Sequence, residues 1–411
     1  MIEPGGNEQP EAPPAKAQLA LGLAQLQRAG GLVTPVITTL LAFAIGGVVV
    51  LAAGHDPLAT YRAIFDGAGL NWFFPWVTGA DRATAALNLQ QTLIITTPLI
   101  LTGLAVAFAF RCGMFNIGGQ GQYMVGAIMS VWIGSSFAGM TGWLHILLTV
   151  VLAMLAGAAW AGIAGFLKAT TGAHEVITTI MLNWIAYWGG SYLFGLGGPL
   201  QSDVRKFVPI SSDVADGAKL PVFWGDPQLQ GLHVGLFIAV AALVVFWVIL
   251  SRTTLGYQVR AVGYNPEAAR YGGISVARNY VVAMAISGTF AGLAGALDIL
   301  GWQFRLSVGA VQVSQVGFIG IAVALLGRNT AVGTFFAALL FGALYTGTST
   351  RSLDPSVFRP DLAGSLAQII QGLVVLFVGA DVLVLYVWNV RRKLRRGRVT
   401  PAPRPATGAG P

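Results

Sequence analysis

The sequence predicts an all-α polytopic membrane protein of about ten transmembrane helices with both chain ends in the cytoplasm, and three observations predict it. Hydrophobic residues fill 55% of the 411 positions and charged residues only 10%, whereas a soluble domain carries about 25% charged residues. The apolar residues come in runs of roughly 20, the length a helix needs to cross the hydrocarbon. The 24 Lys and Arg sit at the ends of those runs. Only helices and closed barrels satisfy their backbone in lipid, and these runs are too long and continuous for barrel strands.

Taken in order, residues 1–30 are Pro-, Ala- and Gln-rich with Glu3, Glu8 and Glu11, and read as a disordered cytoplasmic tail without a cleavable signal. The membrane domain covers 31–390, and its first span runs over about 32–54. Asp56 and Pro57 then cap and start a short helix that ends near Gly67. Its Leu58, Tyr61 and Phe65 share a face, which places it in the outer interface. Trp72, Phe73, Phe74 and Trp76 follow as an aromatic belt.

Four spans come next, at 91–110, 114–136, 142–167 and 176–197. An external loop to about 231 carries Asp203, Asp213, Asp216, Trp224 and Asp226, either as a docking surface for an external protein or as a solvated connector. The remaining spans are expected at 232–251, 279–300, 309–327, 330–348 and 364–388, before a basic cytoplasmic tail over 391–411. With the N-terminus inside, sixteen of the 24 Lys and Arg lie on the inner side and eight on the outer. That two-to-one bias is what the positive-inside rule asks. Many of the 54 glycines stand beside alanines inside spans, as close helix packing in lipid requires.

The net charge of +8 and pI near 9.8 reflect this topology. The basic residues are not interleaved with aromatics on a soluble face, so no nucleic-acid partner is expected. One cysteine, Cys112, excludes a disulfide framework within the chain and a multi-cysteine metal site.

The loop over 252–278 has helix punctuation of its own. Asn265 is a candidate N-cap, Pro266 suits the first helical position, and Glu267 complements the positive helix end. Ala268, Ala269, Arg270 and Tyr271 continue the helix, and Gly272 with Gly273 can close it in a left-handed cap. The result is a stubby helix of about two turns, either a plain connector or a docking element for a soluble motor.

This loop, GYNPEAARYGGIS at 263–275, resembles the cytoplasmic coupling loop of ATP-binding-cassette (ABC) importer permeases for nucleosides, simple sugars and branched-chain amino acids. FNIGGQGQ at 115–122, EVITTIMLNWIAYW at 175–188 and VGFIGIAVALLGRN at 316–329 look like the nucleoside and simple-sugar members of that branch. The resemblance runs from about residue 55 to 390. It implies a permease of about ten spans in a bacterial inner (plasma) membrane, translocating nucleosides or related simple sugars by alternating access. Its implied partners are a cytoplasmic ABC ATPase, a second related permease or a second copy of this chain, and an extracytoplasmic substrate-binding protein. The ATPase would dock on Asn265, Pro266, Glu267, Ala268, Ala269, Arg270, Tyr271 and Gly272. The chain has no G-x-x-x-x-G-K-[ST] phosphate loop. It is therefore expected to be no enzyme and to bind no cofactor, with ATP hydrolysed by the partner.

Polar residues inside spans are the remaining candidates, because amides and acids in lipid are costly unless paired. Asn116, Gln120 and Gln122, set among glycines at the start of the third span, either face the substrate pathway or bond neighbouring helices. Asn183 and Trp184 within the fifth span suit a sugar or a planar base, with helix packing as the competing account. Glu175 is a capping or gating carboxylate facing Arg111 or Lys168, or a solvated loop charge. HEVIT at 174–178 ends in Thr178, which excludes an H-E-x-x-H zinc site. Asp298 either reaches water at the outer end of its span or pairs with Arg305. Asp381 is the deeper acid, either paired with a buried polar group or lining the pathway. It is the residue on which the rival reading, an ion-coupled secondary transporter, would rest. His55, His145 and His233 fall at outer span edges as interfacial residues, and no nucleophile–base pair supports an intramembrane enzyme.

Overall fold

The computed structural model describes residues 36, 39–52, 54–137, 139–227, 231–349 and seven positions between 365 and 376. Both tails, most of the expected tenth span and Asp381 lie outside the described residues.

The chain is an all-α membrane protein. The helices are α1 (Thr39–Ala52), α2 (Pro57–Gly67), α3 (Gly79–Arg111), α4 (Gly119–Ser136), α5 (Gly142–Thr171), α6 (Glu175–Phe194) and α7 (Gly235–Arg252). They continue with α8 (Thr254–Tyr264), α9 (Pro266–Tyr271), α10 (Val276–Asp298), α11 (Val308–Val313), α12 (Val316–Leu326) and α13 (Ala331–Gly347). Among the described residues five helical segments are long and apolar enough to cross a membrane: α3, α5, α7, α10 with its extension to Gln303, and α11 with α12. The pair α1 and α2, bent by 117°, makes a sixth if counted as one broken span. α4 and α6 have 18 and 20 residues, and their amides, glycines and serines lower their hydropathy.

α10 is the axis of the bundle and packs most extensively on α5, then on α3 and α4. The α5–α10 seam exists because both helices offer glycine to the other. A Cβ at Gly288 would sit 2.1 Å from the Gly157 carbonyl oxygen, so the two backbones touch. α3 is buried without interruption from Thr96 to Ala109, through Pro98.

The expected interfacial helix is α2. Asp56 caps it by accepting from the Leu58 N–H at 2.9 Å, and Tyr61 donates to the Phe43 carbonyl of α1.

Elsewhere the structure departs from the expected spans for identifiable reasons. α3 begins at Gly79, twelve residues before the apolar run at 91, because Ala80–Gln90 has good helix formers but too many polar ones to register as apolar. The third span loses its first residues: the chain over 112–118 is not helical, and α4 starts at Gly119. The span expected over 309–327 is broken at Ser314–Gln315 into α11 and α12. The loop after α7 holds two helices, α8 and α9, where one was expected. Thr253 caps α8 by accepting from the Gly256 N–H at 3.1 Å.

After α10 comes one turn of π-helix, Ile299–Gln303. The loop between α6 and α7 is ordered onto this end of α10. Val214 N–H donates to Phe304 O at 2.8 Å and Leu220 N–H to Leu300 O at 2.8 Å. A small antiparallel hairpin, β1 (Val222–Trp224) with β2 (Leu232–His233), completes it.

Candidate functional site

Asn265 caps α9 as the local pattern demands, its Oδ1 accepting from the Ala268 N–H at 3.1 Å. Gly273, at φ +79°, closes the helix. Ile274 N–H reaches Ala269 O at 3.0 Å and Gly273 N–H reaches Arg270 O at 3.0 Å, the bonding of a Schellman cap. Ala269 is buried against the bundle, while Tyr271 is 92% and Tyr264 89% exposed. Glu267 and Arg270 lie 3.9 Å apart on the open face. α9 thus presents the Tyr271 ring and a charge pair on a short, capped stub, with Tyr264 exposed beside it at the end of α8.

Inside the bundle the structure brings three of the five predicted pathway residues, Asn116, Gln122 and Asn183, together around the segment 116–122. Asn116 Nδ2 donates to Gln122 Oε1 at 2.9 Å and to Ser287 Oγ at 2.8 Å. Its Oδ1 accepts from Gln122 Nε2 at 3.0 Å and from the Gly118 N–H at 2.9 Å. Ser287 in turn donates to the Ala105 carbonyl of α3. Asn183 donates to Ile117 O at 3.0 Å and accepts from the Gly121 N–H at 2.8 Å.

Gln120 performs a separate task. Its Nε2 donates to Ser314 O at 2.9 Å and its Oε1 accepts from the Gly317 N–H at 2.8 Å. Those two backbone groups flank the break between α11 and α12, so Gln120 supplies the bonds the interrupted helix lacks. Ser287, which joins the cluster from α10, was not singled out from the sequence. A serine in an Ala/Gly-rich helix carries no local sign of a partner on another helix. Trp184 does not converge on these amides and is 54% exposed on another face of α6.

An open groove of about 370 Å³ lies beside the break, lined by Gln315, Phe318, Ile319 and Ala322 of the α12 region, Phe341 of α13, and Gln368 and Gly372. Its volume is within the range of small-molecule sites.

The charged candidates sort clearly. Glu175 is buried and accepts from Lys168 Nζ at 2.8 Å, one of its two expected partners. Arg111, the other, instead donates through Nε and Nη2 to the Asn329 carbonyl at 3.0 and 2.7 Å. Asp298 is neither in water nor paired with Arg305. It is 3% exposed and accepts from Tyr123, Trp302 and, at 2.7 Å, Gln303. The π-turn that delivers Trp302 and Gln303 had no sequence signal. Arg305 lies 3.7 Å from Asp213, which also takes a two-bond fork from Arg205 at 2.9 Å on each arm. The Arg205 fork holds the Asp213 carboxyl below the usual carboxylate range, against the opposing effect of partial burial. His145 and His233, expected at the interface, are buried: His145 bonds Ile133 O and His233 caps the Gly235 N–H.

Residues 88–379 match the family described as branched-chain amino acid transport system, permease component. The chain belongs to that family. The permease is 36% identical over 368 residues to the guanosine ABC transporter permease protein NupP of Bacillus subtilis, covering 90% of this chain and 99% of NupP. It is 36% identical over 352 residues to the glucose ABC transporter permease protein TsgB13 of Haloferax volcanii, covering 84% and 86%. With the nucleoside ABC transporter permease protein NupB of Lactococcus lactis it shares 32% over 358 residues, covering 85% and 91%. Each of these organisms contributes a second, more distant relative: NupQ at 29%, NupC at 28% and TsgC13 at 28%. No solved structure matches the permease.

Proposed function

We propose that the permease is the membrane subunit of an ABC importer that carries nucleosides across the bacterial inner membrane by alternating access. The observation that carries this reading is the similarity to guanosine and nucleoside permeases along nearly the whole chain. Glucose is the second reading, favoured by the equal identity to TsgB13. Ten spans with both termini inside remain our assignment, which puts α8, α9 and the α12–α13 turn on the cytoplasmic side. An ATPase docks there on α9, between Asn265 and Gly272, because that stub is capped, exposed and aromatic. A substrate-binding protein delivers cargo to the opposite face. The paired relatives in three organisms support a second, related permease as the partner across the pathway.

We place the pathway along the groove at Gln315 and Gln368. Asn116, Gln120, Gln122 and Asn183 serve it as the joint just behind, since Gln120 holds the residue preceding Gln315. Glu175 with Lys168 pins the cytoplasmic end of α6.

The test is uptake of labelled guanosine and of labelled glucose into vesicles carrying the ATPase, both permeases and the binding protein. ATP-dependent guanosine uptake that disappears in the Glu267→Arg, Arg270→Glu double variant, with the chain still inserted, is the expected result. Uptake by this chain alone, indifferent to ATP and lost with the ion gradient, would sink the reading in favour of a secondary transporter.

A further inference from the structure

On the cytoplasmic side, two contacts outside the α9 stub connect it to the helices that line the groove. α8 ends at Tyr264, immediately before the α9 cap Asn265, and its Gly263 lies directly on the main chain at the end of α3. A Cβ there would fall 2.3 Å from Arg111 O and 3.0 Å from the Gly113 N. Only glycine permits this approach, and Gly113 opposite, at φ +75°, is glycine too. The backbone of Arg111 is therefore in contact with α8, while its guanidinium grips Asn329 O with two bonds.

The element gripped is itself unusual. Arg328 and Asn329 both have left-handed backbones, φ 51° and 53°, in the turn joining α12 to α13. Consecutive non-glycine residues rarely take that conformation, and it persists when the surroundings hold it. Asparagine in this region commonly bonds its own neighbourhood, yet Asn329 Oδ1 is buried and has no partner among the described residues. The turn has backbone bonds of its own, Arg328 N–H to Leu325 O and Asn329 N–H to Ala324 O at 2.9 Å each, and the Arg111 side chain of α3 adds a grip from another helix.

We infer that Arg111 is a positioning residue that transmits motor movement. A shift of α9 moves α8, the Gly263 contact moves the end of α3, and the Arg111 fork carries the displacement to the Arg328–Asn329 turn and so to α12 and α13. The inference rests on α9 as the docking stub.

The test uses the full transporter in proteoliposomes, with ATP hydrolysis and uptake of labelled guanosine and glucose read on one sample. Arg111→Gln removes the fork, Arg111→Lys keeps the charge without the paired bonds, and Gly263→Ala pushes α8 away. With assembly judged by co-purification of the ATPase, we expect hydrolysis to persist while substrate moved per ATP falls about tenfold in Arg111→Gln and Gly263→Ala, and less in Arg111→Lys. A second readout is independent of cargo. Spin labels at the exposed Tyr264 and Val332 should keep one separation with and without ATP in the wild type, and lose it in Arg111→Gln.

Uptake and hydrolysis falling in step, an unchanged ratio with an unchanged label separation, or failure of all three variants to assemble would each overturn the clamp. The α9 double variant keeps the two ideas apart. If it leaves the ATPase bound and uptake intact, the docking reading fails. If it is defective while the Arg111 variants are normal, only the clamp fails.

Discussion

Replacing Gln120 by methionine removes both bonds across the break between α11 and α12 while keeping the length of the side chain. Gln120 is 4% exposed, so water does not replace it readily. Leaving Ser314 O and Gly317 N–H without partners costs about 1–3 kcal/mol for each group, or about 2–6 kcal/mol together. Measured interhelical hydrogen bonds in a membrane protein average only about 0.6 kcal/mol, which sets a floor near 1 kcal/mol for the pair. Partial relaxation of the break favours a loss of about 3 kcal/mol. Thermal unfolding of the purified permease in detergent, followed by tryptophan fluorescence, reads this directly against wild type. A loss below about 0.5 kcal/mol, within the noise of an ordinary surface substitution, would refute the reasoning, because the freed backbone groups would then have to be satisfied by something other than Gln120.

Two further outcomes are expected. Gly288→Val forces a side chain into the Gly157 backbone and should abolish stable insertion, whereas Gly162→Ala, with nothing within 4 Å of the added carbon, should express at wild-type level; membrane yield by immunoblot compares them. Asp213 has a lowered folded pKa, so its support of the α6–α7 loop is complete above the unfolded value of about 3.9 and is lost as pH falls through the lower folded one. Limited proteolysis of that loop should therefore be flat from pH 7 to pH 5 and rise in more acid buffer, with the step missing in Arg205→Met.

The stub α9 was legible because its signals are local: Asn265 caps a donor three residues on, and the left-handed Gly273 lets its own N–H and that of Ile274 reach carbonyls three and five residues back. The Asp56–Pro57 start of α2 was legible for the same reason. α8 was missed because Thr253, Gly256 and a mixed polar stretch do not separate a helix from a connector. The amides stood out as polar groups in apolar runs, but their partners were not foreseeable. Asn116 meets Ser287, 171 positions away, and Gln120 meets Gly317, 197 away.

The sequence by itself determined the solvent, the helical class and the family resemblance. Each of these follows from apolar run length, charge placement or residues within one helical turn. Tertiary structure alone decided that one span is broken, that Asp298 is buried among Tyr123, Trp302 and Gln303, that Trp184 turns away from Asn183, and that Arg111 holds Asn329. Those outcomes depend on which backbone groups of distant segments arrive together, and in lipid every freed donor and acceptor must find its partner inside the protein.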